Sequence, residues 1–107
     1  MKLIVDKTRL PDFDADAFLR RAGFAHIYDR VKQHESYVKR LSRDYYPRLH
    51  VYVSEQTADG ENLVVMEMHL DQKKASYEGT RMHSAEYDGP VIEAAIADLK
   101  DRLRASV

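Results

Sequence analysis

At 107 residues, with 44% hydrophobic and 33% charged side chains, the chain has the size and core fraction of one domain and a charge-rich surface. Seventeen Lys and Arg against eighteen Asp and Glu leave a net charge of −1. These values exclude a multidomain enzyme, a collagen-like chain and an overtly disordered one, and they argue against a histone-like basic binder.

There is no cysteine, so disulfides, thiolate zinc sites and a cysteine nucleophile are excluded. The N-terminal apolar run is too short for a signal peptide or a membrane span, and the cytoplasm is the expected compartment. Charge is unevenly placed. Residues 30–48 hold six bases and two acids, whereas residues 49–72 hold five acids and no Lys or Arg.

In chain order, Leu3-Ile4-Val5 reads as a first strand. A short helix follows over 14–22, with Asp14 as its N-cap, Phe18, Leu19 and Ala22 as its apolar stripe and Gly23 as its stop. Residues 24–31 and 36–42 carry β-type side chains and predict two strands, joined by Lys32-Gln33-His34-Glu35. Ser42–Tyr46 turns the chain, and Pro47 suits the first position of a strand.

The next stretch is the most sharply determined. In Leu49–Ser54 the odd positions are apolar, and in Val64–Asp71 the even ones are, with Asp59-Gly60 between the two runs. That pattern is a β-hairpin. One buried face requires apolar opposite apolar, so paired residue numbers must add to an odd number, and Asp59-Gly60 as the loop makes that number 119. Leu49–Leu70, Val51–Met68 and Val53–Met66 are then core pairs, and the other face pairs Arg48 with Asp71, His50 with His69 and Tyr52 with Glu67. Residues 72–88 show no clear periodicity, and a loop of this length is uncommon in a compact domain unless it is functional or disordered. Pro90 opens a last helix over about 90–105, with Val91, Ile92, Ala95, Ile96, Leu99 and Leu103 as its buried stripe.

The expected architecture is α+β: an antiparallel sheet of four to five strands, order β-α-β-β-β-β-α, with both helices on one face and residues 1–107 forming one domain. The opposite face is left open and carries Arg48, His50, Tyr52, Glu67, His69 and Asp71, joined from the earlier strands by His26, Tyr28 and Arg30.

Three constellations bear on function. Facing residues on paired strands have Cβ atoms about 4.5–5.5 Å apart, so His50 and His69 can grip one cation, with Glu67 or Asp71 as a third ligand and His83 closing the set. Such a site suits zinc, manganese or iron, and an open coordination position activates water for hydrolysis. The bland reading is a solvent-facing sheet of titrating His and Tyr. Second, Lys73, Lys74, Arg81 and His83 with Tyr77 and Tyr87 combine cations with aromatics, as phosphate- and base-gripping loops do. The bland reading is an ordinary surface loop. Third, Tyr45-Tyr46-Pro47-Arg48 offers paired tyrosines of the kind enriched at binding surfaces. Ser76 and Ser84 lack any nucleophile-elbow pattern.

Two stretches carry resemblances. Leu19-Arg20-Arg21-Ala22-Gly23-Phe24, with His34 ten residues on, resembles the start of a HicA-type toxin, a small RNA-cleaving relative of the double-stranded-RNA-binding domain. The resemblance makes His34 the counterpart of that family's catalytic histidine. Lys32-Gln33 replaces the family's Gly-Ser pair, so catalysis is not carried over to His34. The run His69–Lys74, then Tyr77-Glu78-Gly79, His83 and Glu86–Pro90, is similar to a family of short bacterial proteins with no assigned activity, which implies small size and bacterial origin only.

The leading expectation is a binding module for RNA or another anionic partner, with Arg48, His50, Tyr52, Lys73, Lys74, Tyr77, Arg81 and His83 as its contacts. The first competing expectation is a metal-dependent hydrolase built on His50, His69, Glu67 and Asp71 with a metal such as zinc or manganese. The second is an interaction protein that forms homodimers.

Overall fold

The structure, a computed structural model, describes residues 1–29, 34–72, 85–86 and 88–106. The elements are β1 (Lys2–Asp6), α1 (Ala15–Arg21), β2 (Ala25–Asp29), β3 (His34–Arg40), β4 (Arg48–Ala58), β5 (Glu61–Asp71), β6 (Ala85–Glu86) and α2 (Pro90–Ala105). The sheet runs β1-β5-β4-β3-β2, every neighbouring pair is antiparallel, and β6 pairs with the far end of β5. The α+β class and the expected order hold, with the two-residue β6 added inside the stretch 72–88.

The β4–β5 hairpin has the expected register throughout, from Arg48↔Asp71 to Ala58↔Glu61. Its turn residues, Asp59 (φ 52°) and Gly60 (φ 76°), are both left-handed, which is the backbone of a two-residue hairpin turn that follows the natural strand twist. β2 and β3 have other bounds than the expected 24–31 and 36–42. His34 and Glu35, expected in the connector, are strand residues paired with Asp29 and Tyr28. Backbone pairing carries this hairpin past the point where its side chains read as strand.

Leu3, Val5, Tyr37, Leu49, Val51, Val64, Met66, Met68 and Leu70 point from the sheet into one core with Leu19, Ala22 and Phe24 around α1 and Ile92, Ile96 and Leu99 of α2. Both helices therefore cover the same face. The Asp14 carboxylate caps α1 by accepting from the Asp16 backbone N–H at 3.0 Å, and Gly23 (φ 96°) lets the chain turn out of the helix. Two turns of helix are marginal alone. Leu19, with no exposed surface, ties α1 to the sheet. In α2 the stripe is narrower than expected: Ile92, Ile96 and Leu99 are buried, but Val91 is 44% exposed on the solvent side. Among the described residues no helix is long and apolar enough to cross a membrane.

Candidate metal centre

Strand alternation turns Arg48, His50 and Tyr52 of β4, and Glu67, His69 and Asp71 of β5, to the face opposite the helices. His50 lies directly across from His69, with their ring centroids 4.7 Å apart. The Tyr52 ring packs against both, at 4.3 Å from His50 and 5.3 Å from His69.

One carboxylate organises the pair. Asp71 Oδ2 lies 3.1 Å from His50 Nδ1, and Asp71 Oδ1 lies 2.7 Å from His69 Nε2. Arg48 Nε donates to Oδ2 at 3.2 Å. Burial of Asp71 works against its charge. Hydrogen bonds from His50 and His69, and the charge those rings carry when protonated, outweigh it and hold the carboxyl well below the usual carboxylate range. Asp71 is therefore ionised at neutral pH, and an ionised carboxylate only accepts. Both facing ring nitrogens must then donate, which assigns the proton to Nδ1 of His50 and to Nε2 of His69. His50 Nε2 is left buried, with no hydrogen-bond partner among the described residues.

Arg48 is turned inward. Its side chain is 11% exposed, and its guanidinium lies 4.7 Å from the Tyr45 ring and 5.1 Å from the Tyr46 ring. Burial disfavours its charge, but hydrogen bonds to Asp71 and Tyr45 push its pKa above the ordinary arginine value. The Tyr45-Tyr46-Pro47-Arg48 stretch singled out in the sequence thus forms an aromatic wall around Arg48, with Tyr45 still 58% exposed.

Three expectations need correction. The face is not open at its centre: His50 is 7% exposed, His69 5%, Val65 6% and Ser36 not at all. Large neighbours in the same rows account for part of this, since Ser36 sits between Ile27 and Tyr52. Next, His26 and Tyr28 lie on the helix side. His26 pairs with the core residue Tyr37 and its Nε2 meets Glu35 Oε2 at 2.5 Å, while Tyr28 pairs with Glu35. Finally, Glu67 stands apart from the donor cluster, with its Oε2 3.8 Å from the Met1 amine. Arg30 and the loop residues Lys73, Lys74, Tyr77, Arg81 and His83 lie outside the described residues.

Ser36 is a further polar residue buried on this face. Its Oγ is buried without a hydrogen-bond partner among the described residues, in the row of Tyr52 and Glu67. A lone serine between Glu35 and Tyr37 gives no composition signal. Two surface cavities, one beside Phe13, Phe18 and Arg21 and one beside Asp16, Glu35 and Tyr37, open elsewhere, and neither is lined by His50, His69 or Asp71.

No family model, no curated protein and no solved structure matches the chain. The chemistry must therefore be read from the site itself. His50, His69 and Asp71 each offer a ligand atom within 4.8 Å of the others, so the group could hold a metal ion. Two imidazoles with a carboxylate suit zinc, manganese or iron.

Proposed function

We propose that the protein binds one divalent transition metal at His50 and His69, with Asp71 as the anionic member of the site, and uses the metal's remaining positions to activate water for hydrolysis. The observation that carries this is the pair of facing, buried imidazoles held by one shared carboxylate. Burying that many polar groups is costly unless they are satisfied or put to use. Imidazole ligands that hydrogen-bond a carboxylate through their second nitrogen are a recurrent arrangement at metal sites. An ion with few protein ligands keeps water in its shell, and the charge of the ion brings the pKa of that water toward neutrality.

The metal reading is preferred to a metal-free binding module because Arg48 is bonded to Asp71 instead of facing solvent, where it would meet a phosphate. The test is elemental analysis of protein purified without chelator, followed by thermal melts before and after chelator. About one zinc or manganese per chain is expected. A metal present at 100 times its dissociation constant adds about 2.7 kcal/mol, which chelation removes, so the melting temperature should fall by roughly 10 °C. His50→Ala should lose the metal. Calorimetry showing no binding of either ion, together with an unmoved melt, would retire this function.

A further inference from the structure

We infer that the free edge of β1 pairs with β1 of a second copy of this chain, antiparallel and centred on Ile4, so that two protomers share one continuous sheet. The inference is independent of the metal site. Among the described residues β1 ends the sheet, with β5 on one side and no strand on the other. Met68 N–H donates to the Met1 carbonyl at 2.7 Å, and Lys7 N–H to the Asn62 carbonyl at 2.8 Å. Bonded and non-bonded pairs alternate along an antiparallel ladder, so Leu3 and Val5 also turn their backbone groups to β5. Lys2, Ile4 and Asp6 then turn theirs to the free edge. Among the described residues only the Asp6 carbonyl of that set is occupied, by the N–H groups of Arg9 and Leu10 at 3.1 and 3.0 Å.

The side chains at that edge fit a second copy in one register. Leu3 and Val5 point into the core, so Lys2, Ile4 and Asp6 share the face opposite the helices. Ile4 is 53% exposed, a large apolar side chain between two opposite charges. A two-fold axis through Lys2 or through Asp6 sets like charges opposite each other, which destabilises a strand pair. An axis through Leu3 or Val5 sets Ile4 against a charge. With the axis at Ile4, each Lys2 faces Asp6 of the other copy, Ile4 meets Ile4, and Leu3 lies beside Val5 in the core layer. The Asp6 carboxylate accepts from Thr8 N–H at 2.9 Å and lies 3.8 Å from Arg9 Nε, and its remaining lone pairs leave room for Lys2 of the second copy. The backbone agrees with this register. Ile4 exchanges both its free groups with Ile4 of the second copy, and the Asp6 N–H meets the open Lys2 carbonyl. Charges on an edge strand usually discourage pairing. Here they discourage the other two-fold registers. β2, at the opposite edge, lacks this symmetry: an axis at Ile27 sets Ala25 against Asp29 and His26 against Tyr28. The axis at Ile4 stands perpendicular to the sheet, so the helices of both copies stay on one face and both histidine pairs on the other.

Sedimentation equilibrium of the full chain, without an added tag, tests this. The wild type should be a reversible dimer at micromolar concentration. Ile4→Lys alters an exposed side chain of the protomer but sets two ammonium groups face to face at the axis. It should weaken association roughly 100-fold and leave the circular dichroism spectrum unchanged. The chain has no cysteine, so a single introduced thiol reports the register directly. Facing residues of a bonded pair have Cα atoms about 5.5 Å apart, within the span of a disulfide. Ile4→Cys should therefore cross-link into dimers with oxidised glutathione, whereas Tyr28→Cys, exposed at the β2 edge, should not. A monomer throughout the concentration range would overturn the inference. So would a dimer that Ile4→Lys leaves intact, or one that cross-links through Tyr28→Cys and not through Ile4→Cys. If Ile4→Lys fails to fold, the wild-type mass and the Ile4→Cys cross-link still decide the matter.

Discussion

Asp71 is the residue on which the site turns. Its position opposite Arg48 was legible from the hairpin parity alone. Its reach along β5 to His69 and diagonally to His50 was not, because strand register places Cβ atoms and leaves the side-chain rotamer open. The depressed Asp71 pKa has a measurable consequence. The unfolded chain accepts a proton at the ordinary value near 3.9, while the folded state keeps the carboxylate ionised to lower pH. The stability from this shift is complete above that ordinary value and is lost as the pH falls towards the folded pKa. In urea titrations the wild type should be more stable than Asp71→Asn at neutral pH, and the gap should narrow progressively as the pH falls below about 4. A gap that persists unchanged to strong acid would mean that another group holds the rings.

At the scale of elements, the β4–β5 hairpin was readable because two long alternating runs flank Asp59-Gly60, and only an odd pairing number buries one face. β2 and β3 were not readable to the same depth. The seven residues 41–47 between Arg40 and Arg48 do not fix strand parity in the way a two-residue turn does, so nothing in the sequence decided which face His26 and Tyr28 would share. The turn itself can be tested. A Cβ at Gly60 would have open space around it, so the cost of Gly60→Ala comes from its φ of 76° alone. A loss of about 1–2 kcal/mol in denaturant unfolding is expected. No loss would show that the turn relaxes to another type, and with it the register that brings His50 to His69.

At the scale of the whole molecule, β4 and β5 are flanked on both sides along much of their length, whereas the end of the hairpin over 54–62 is exposed. Hydrogen exchange should therefore be slowest at Val51, Met66 and Met68 and fastest over 55–61, and rapid exchange at Val51 would contradict the sheet order. The placement of β1 beside β5 was the part of the topology least visible in sequence, since any apolar edge strand could have joined either end of the meander. It also sets the order of assembly. His50 and His69 are nineteen residues apart in the chain, but Lys2 and its partner Glu67 are sixty-five apart. Closing the longer loop costs about 1 kcal/mol more in chain entropy. During synthesis the apolar segment Leu3-Ile4-Val5 is made long before the strand it will pair with, and it waits as an unpaired edge. Loop entropy favours closing the histidine hairpin before the N-terminal strand pairs with it.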